Sequence, residues 1–237
     1  MSRAIHKMGF GGAETIRLTY KTAQKKSSIS TNVATFSSVS IGSADPTRSV
    51  LVAVGYLSDS SDPYQTPAVT IGGFSATQLL LLQAYAWSNN MRTATGFYIY
   101  PIATGTSTSV VVTGQDNAFN CSMAAWTLTG SSSGYTLTDQ DPAAGTSSYN
   151  CAGTVAVQNN GAAASFINWK DDTSGYFYSG ASDDLLAADA AKAVSVGFSG
   201  QTASWSGLTE KFDQTISTPS GTNTKIAGFI LGSFAKA

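Results

Sequence analysis

Residues 205–213, WSGLTEKFD, set Trp205 beside Glu210, Lys211 and Asp213. That combination could be a reaction site, a platform for a sugar ring, or the rim of a strand. Glycoside cleavage needs two carboxyl groups roughly 5 to 10 Å apart across the scissile bond. Glu210 and an aspartate could supply them, but nothing in the spacing fixes such a pair. Trp205 and Leu208 can both point inward across a kink at Gly207, which leaves Glu210, Lys211 and Asp213 in the following turn or strand rim. Opposite charges this close on a surface contribute roughly 0 to 1 kcal/mol. The stretch reads as strand and bulge.

Other chemistry finds little to work with. The single histidine is His6, near the N-terminus, so Ser-His-Asp or Cys-His catalysis would hang on a terminal residue. Gly130-Ser131-Ser132-Ser133-Gly134 fits G-x-S-x-G, but a nucleophile elbow needs a strand and then a helix, and the following GYTLTDQ reads as another strand. One His with Cys121 and Cys151 cannot close a zinc site without several carboxylates. The acidic pairs Asp59/Asp62, Asp139/Asp141, Asp171/Asp172 and Asp183/Asp184 could offer oxygens to calcium. Aspartates in turns more often bond their own backbone. No Gly-Lys dipeptide of a phosphate cradle occurs, and the strands lack aromatics interleaved with Arg or Lys. The expectation is a protein without catalytic residues, cofactor or metal, and without a nucleic-acid partner.

The elements that carry these residues are strands. The 237-residue chain is 11% charged, contains 23 glycines and many serines and threonines, and has only two glutamates, Glu14 and Glu210. Exposed helix faces ordinarily draw on Glu, Lys, Gln and Arg. RSVLVAVGYL (48–57) is a near-continuous apolar run fit for a strand covered on both sides. PAVTIGGFSATQLLLLQAYAW suggests two strands joined through Gly72-Gly73, a dipeptide suited to a tight hairpin. TATGFYIYPI places Phe97 and Ile99 on one face and Tyr98 and Tyr100 on the other, and in AAWTLTG the residues Ala124, Trp126 and Leu128 share a face that looks like core. Apolar runs recur every ten residues or so between turn signals, which predicts an all-β protein: a single antiparallel β-sandwich of jelly-roll type over 31–237. SDDLLAADAAKA (182–193) is the one helical candidate, capped by Asp183 or Asp184.

Residues 1–30 differ. Arg3, Lys7, Arg17, Lys21, Lys25 and Lys26 stand against Glu14 alone, although the whole chain has a net charge of -1. This segment is expected to be an extended basic arm outside the sandwich that docks on a partner. Between Arg48 and Lys170 the only basic residue is Arg92, a charge-poor surface suited to packing against neighbours. Neither a secretory signal nor a membrane-spanning run is expected. Cys121 and Cys151 are expected as buried thiols, with pairing open if their strands are neighbours. Trp87, Trp126, Trp169, Trp205 and several tyrosines could stack on sugars. Tyr176 and Tyr178, in GYFYSG between turn signals, are the better candidates for an exposed glycan or partner contact.

RSVLVAVGY, VTIGGFSATQL, TSVVVTG, AAWTLTG and WSGLTEKFD, in this order over Arg48 to Ala237, resemble β-sandwich proteins encoded among the structural genes of tailed bacteriophages and prophages. The resemblance implies a non-enzymatic virion component: a head decoration protein, or a tail or fibre subunit. Such a protein would be made in the host cytoplasm, reside in the virion, form homo-oligomers and contact other virion proteins. The alternative is a host-receptor or glycan-binding module on a tail fibre.

Overall fold

The computed structural model describes residues 16–29, 31–59, 66–86, 91–114, 119–130, 132–140, 143–146, 150–158, 162–171, 177–181, 184–186, 209–217 and 224–236. Among the described residues every regular element is a strand, and every strand pairing is antiparallel. No helix among them is long and apolar enough to cross a membrane.

Numbered along the chain, the strands form four sheets. The central one has the order β1 (Arg17–Ile29), β9 (Phe119–Thr129), β3 (Ser49–Asp59), β7 (Met91–Pro101), β6 (Thr77–Ala86). A second has the order β2 (Val33–Ser40), β8 (Ser107–Thr113), β4 (Ala68–Ile71), β5 (Phe74–Ser75). The third has the order β10 (Ser132–Gln140), β17 (Thr224–Lys236), β13 (Ala162–Asp171), β14 (Phe177–Ala181), β15 (Asp184–Leu186), with β11 (Ala143–Thr146) also on β17. The strands β12 (Asn150–Gln158) and β16 (Thr209–Ser217) pair with each other.

The central sheet is buried on both faces, and the alternation of its strands explains how. Even-numbered residues of β3 (Val50, Val52, Val54, Tyr56) join Ala94, Tyr98, Met123 and Ala125 and meet Phe36, Val69, Ile71, Val110 and Val112 of the second sheet. Odd-numbered Leu51 and Ala53 join Phe97, Ala124, Trp126 and Leu128 and meet Ala164, Phe166, Ile230 and Phe234 of the third. A strand with both faces covered needs an apolar residue at nearly every position, which is why 50–57 carries no polar side chain beyond the Tyr56 phenol. Phe97 packs edge-on against Trp126 at 6.3 Å and against Phe234 at 6.5 Å, tying the two layers.

Hydrogen bonds also cross that second interface. Asn168 Nδ2 donates to Thr93 Oγ1 at 2.7 Å, Thr93 Oγ1 donates to the Tyr56 carbonyl at 2.9 Å, and Thr95 Oγ1 donates to Asn168 Oδ1. All three side chains are buried. Glycine lets the layers close on this chain: a Cβ at Gly55 would lie 2.8 Å from both Asn168 Cβ and Ser122 Oγ. A hydrogen-bonded polar chain between two apolar layers fixes one relative placement of the sheets, because sliding them would orphan its members.

Three expectations change. The segment 17–29 is not an arm outside the sheet: β1 pairs with β9 from Arg17↔Thr129 to Ile29↔Phe119, and Ile16 and Leu18 are buried. The apolar alternation of TIRLTY governs here, and its lysines sit where an edge strand tolerates them. In the helical candidate, Asp184–Leu186 is strand β15 on β14, so the Asp cap starts no helix there, and 187–193 lie outside the described residues. Tyr178 is not on a loop but inside β14, in register with Trp169, as its alternating neighbours Phe177 and Ser179 allow.

Candidate functional site

Arg17, Lys21, Lys25 and Lys26 all lie on β1, the edge of the central sheet. Register with β9 sorts them. Lys26 is opposite Cys121, and its Nζ sits 5.9 Å above the Phe36 ring, on the side of the second sheet. Lys21 occupies the bulge between Tyr20 and Thr22, and its Nζ lies over Gly42, 2.9 Å from where a Cβ there would be. Lys25 is opposite Ser122, on the other face. Lysines and bulges on an edge strand deter pairing with another chain's strand. Lys21 and Lys26 thus lie along the contact between the central and second sheets, and Lys25 does not. Arg3 and Lys7 lie outside the described residues.

The second sheet turns its outer face away from the core. Ala34, Phe36, Val69, Ile71, Val110 and Val112 point inward. Alternation therefore places Val33, Thr35, Ala68, Thr70, Val111 and Thr113 outward, and the register lines them up as Val33–Thr113–Ala68 and Thr35–Val111–Thr70 across β2, β8 and β4. This face holds hydroxyls and methyls and no charge.

One end of the contact between these sheets is held rigid by a buried arginine. Arg48 is 2% exposed and has carbonyl oxygens around its guanidinium. Its Nε donates to Ile102 at 2.8 Å, Nη1 to Ile41 at 3.1 Å, to Gly42 at 3.0 Å and to Ser43, and Nη2 to Thr104 at 2.7 Å and Gly105 at 2.9 Å. The planar fork with five N–H groups fits two loops at once, which an ammonium would not. Beside it, Asp45 accepts from Thr47 N at 2.8 Å and Thr47 Oγ1 at 2.7 Å. Those bonds, first the hydroxyl and then the amide, hold its carboxyl below the usual range, with Arg48 adding to the effect.

At the same end the chain turns through Gly72 and Gly73, at φ +65° and +85°, the pair of positive angles a two-residue hairpin turn takes. The hairpin is as expected, but its second strand, β5, is two residues long. After Ala76 the chain crosses to the central sheet as β6. Phe74 emerges 59% exposed and stacks on Tyr100, with centroids 5.2 Å apart and planes within 5°.

Elsewhere, Glu210, Lys211 and Asp213 lie inside β16, in register with Val157, Ala156 and Thr154, rather than in a turn. Trp205, Tyr176 and His6 lie outside the described residues, as do Asp62, Asp141, Asp172 and Asp183. Among the described residues no three His, Cys, Asp or Glu side chains gather as a metal site would require. Cys121 is a free, buried thiol, pushed up by its burial, with nearby Lys26 opposing weakly. Tyr98 is likewise pushed up by burial. Neither Arg48 nor Phe74 stood out in the sequence as a site residue. The only signals were a lone arginine directly before the most apolar run, and an aromatic directly after a Gly-Gly turn.

No family model matches the chain, and neither a curated protein nor a solved structure matches it.

Proposed function

We propose that this chain is a non-enzymatic building block of a virus particle, a capsid decoration or tail or fibre subunit of a tailed bacteriophage. In this reading the sheets form a jelly-roll type β-sandwich, held in place by contacts with other virion proteins and with its own copies. The observation that carries it is the outer face of the second sheet, where Val33, Thr35, Ala68, Thr70, Val111 and Thr113 form a surface of hydroxyls and methyls without one charge. Faces that meet only water usually mix both signs of charge. A face of valine, threonine and alanine avoids the cost of burying charge and suits burial against a neighbour that pairs its hydroxyls. The phage reading itself rests on the resemblance of the strand motifs. The basic residues of β1, Arg17, Lys21, Lys25 and Lys26, supply a second contact.

The test is incorporation. A Thr35→Lys and Ala68→Lys double variant, at two exposed positions that are not cross-strand partners, should melt like the wild type yet be missing from purified particles, when these are probed by mass spectrometry and imaging. A second variant carrying Lys21→Gln, Lys25→Gln and Lys26→Gln tests the basic edge strand in the same way. Both variants incorporated at wild-type levels, or a wild-type protein that never enters particles, would overturn the proposal.

A second reading is a host-glycan or receptor module at a fibre tip. The exposed Phe74 ring supported by Tyr100 favours it.

A further inference from the structure

We infer that the Phe74–Tyr100 stack is a sugar-binding platform, and that its ligand is a neutral pyranose presenting an apolar C–H face. The inference rests on the second reading above and gives it a place and a ligand class. Four features argue for it. The ring is presented rather than hidden: Phe74 is 59% exposed, while its other side lies parallel to Tyr100 at 5.2 Å. Tyr100 in turn packs against the core between the central and second sheets, so the stack has a fixed base.

The backbone around the ring is preset. Gly72 N donates to Ser109 O at 2.8 Å, and Ala76 N donates to Val69 O at 2.9 Å, bracketing the hairpin on both sides of Phe74. The loop leaving Tyr100 is clamped by Arg48 through the carbonyls of Ile102, Thr104 and Gly105. An aromatic that does not need to be ordered on binding keeps more of its contact energy.

The immediate sequence neighbours of both rings carry no charge, and the charged Arg48 at this end is engaged by backbone carbonyls. The residues flanking the stack in sequence, Gly72, Gly73, Ser75, Thr77 and Pro101, are exposed and uncharged, and a Cβ at Gly73 would meet nothing within 4 Å. Neutral sugars stack one face on an aromatic ring and find hydroxyls and backbone groups at its rim.

The apolar area fits a sugar and not a protein. Among the described residues the other large exposed hydrophobic is Val33, on β2, at the opposite edge of the second sheet from β5. A protein partner would need a contiguous surface of about 800 Å² with an apolar centre. One ring does not provide it, whereas it covers one face of a pyranose.

The experiment titrates the full chain with methyl β-galactoside, methyl β-glucoside, methyl α-mannoside and N-acetylglucosamine, following amide signals by NMR. At least one sugar should shift the signals of 72–76 and 100–105 saturably, with weak affinity, on the order of 1 mM. Phe74→Ala should weaken that binding by about tenfold or more, and Phe74→Tyr should keep it within about threefold, with both variants melting like the wild type. Binding that Phe74→Ala leaves unchanged would overturn the platform while sparing the glycan reading. No response to any of these sugars would overturn both. If Phe74→Ala instead abolishes self-association or particle incorporation in a chain that binds no sugar, the stack is a protein contact and the inference is wrong.

Discussion

Replacing Arg48 with methionine removes the donor for six backbone carbonyls while keeping a long apolar stem. A hydrogen bond from a charged donor contributes roughly 1.5 to 3 kcal/mol when measured singly. These six share one side chain and are not additive. The bond to the Ile41 carbonyl is buried and would leave an acceptor without water, whereas the other five are part-buried and can rehydrate. The net loss is therefore about 3 to 5 kcal/mol, a charged hydrogen bond together with the desolvation penalty of the acceptor left buried. For a chain of this length each kcal/mol moves Tm by about 2 to 4 °C, so Arg48→Met should melt about 6 to 20 °C lower. Arg48→Lys keeps the charge but has three donors on a point charge, too few to hold both loops, and should fall between the two. Calorimetry reads Tm, and limited proteolysis should show new cleavage within 41–48 and 101–106. An Arg48→Met protein within about 2 °C of wild type, or an Arg48→Lys protein equal to wild type, would refute the role given to the fork.

Asp45 gives a pH-dependent companion. Its carboxyl titrates lower in the folded chain than in the unfolded one, so its contribution is present above the unfolded value and is lost as pH falls through the folded value. Asp45→Ala should melt below wild type at neutral pH, and the gap should shrink under acid; a gap that stays constant or widens would contradict this. Trp126 is buried with an indole N–H that meets no acceptor among the described residues. Trp126→Phe discards that unpaired donor and should cost less than about 2 kcal/mol by urea denaturation, against about 3 to 5 kcal/mol for Trp126→Ala. Cys121 should be inert in a Cys151→Ser chain, reacting with a thiol reagent at least about a hundredfold more slowly when folded than in guanidinium. Rapid labelling of the folded chain would mean that the sheets open over it.

The strands of the central sheet were readable because burial imposes period two, and period two survives in the sequence. Leu51 and Val52, Phe97 and Tyr98, and Ala124 and Ala125 alternate between two different cores, as their order predicts. What periodicity cannot show is which sheet covers each face, so the third sheet behind Trp126 was not legible. The strand β1 passes for an arm in the sequence because Lys21, Lys25 and Lys26 describe an edge strand and a solvated tail equally well; only the partner, β9, roughly a hundred residues on, separates the two. Arg48 was not legible as a clamp, because backbone carbonyls leave no mark in a sequence. Tyr178 was placed by its flanking glycines, whereas its pairing with β13 is non-local.

The pairing of Arg17 with Thr129 has a consequence for synthesis. The first described strand leaves the ribosome roughly a hundred residues before its partner β9 is complete. At about 5 to 20 residues per second, β1 waits roughly 5 to 20 s without this in-sheet neighbour, while the apolar run 50–57 is already out. The lysines that look ornamental on the finished edge then serve earlier as well, keeping a nascent, still solitary segment hydrated until the chain behind it arrives.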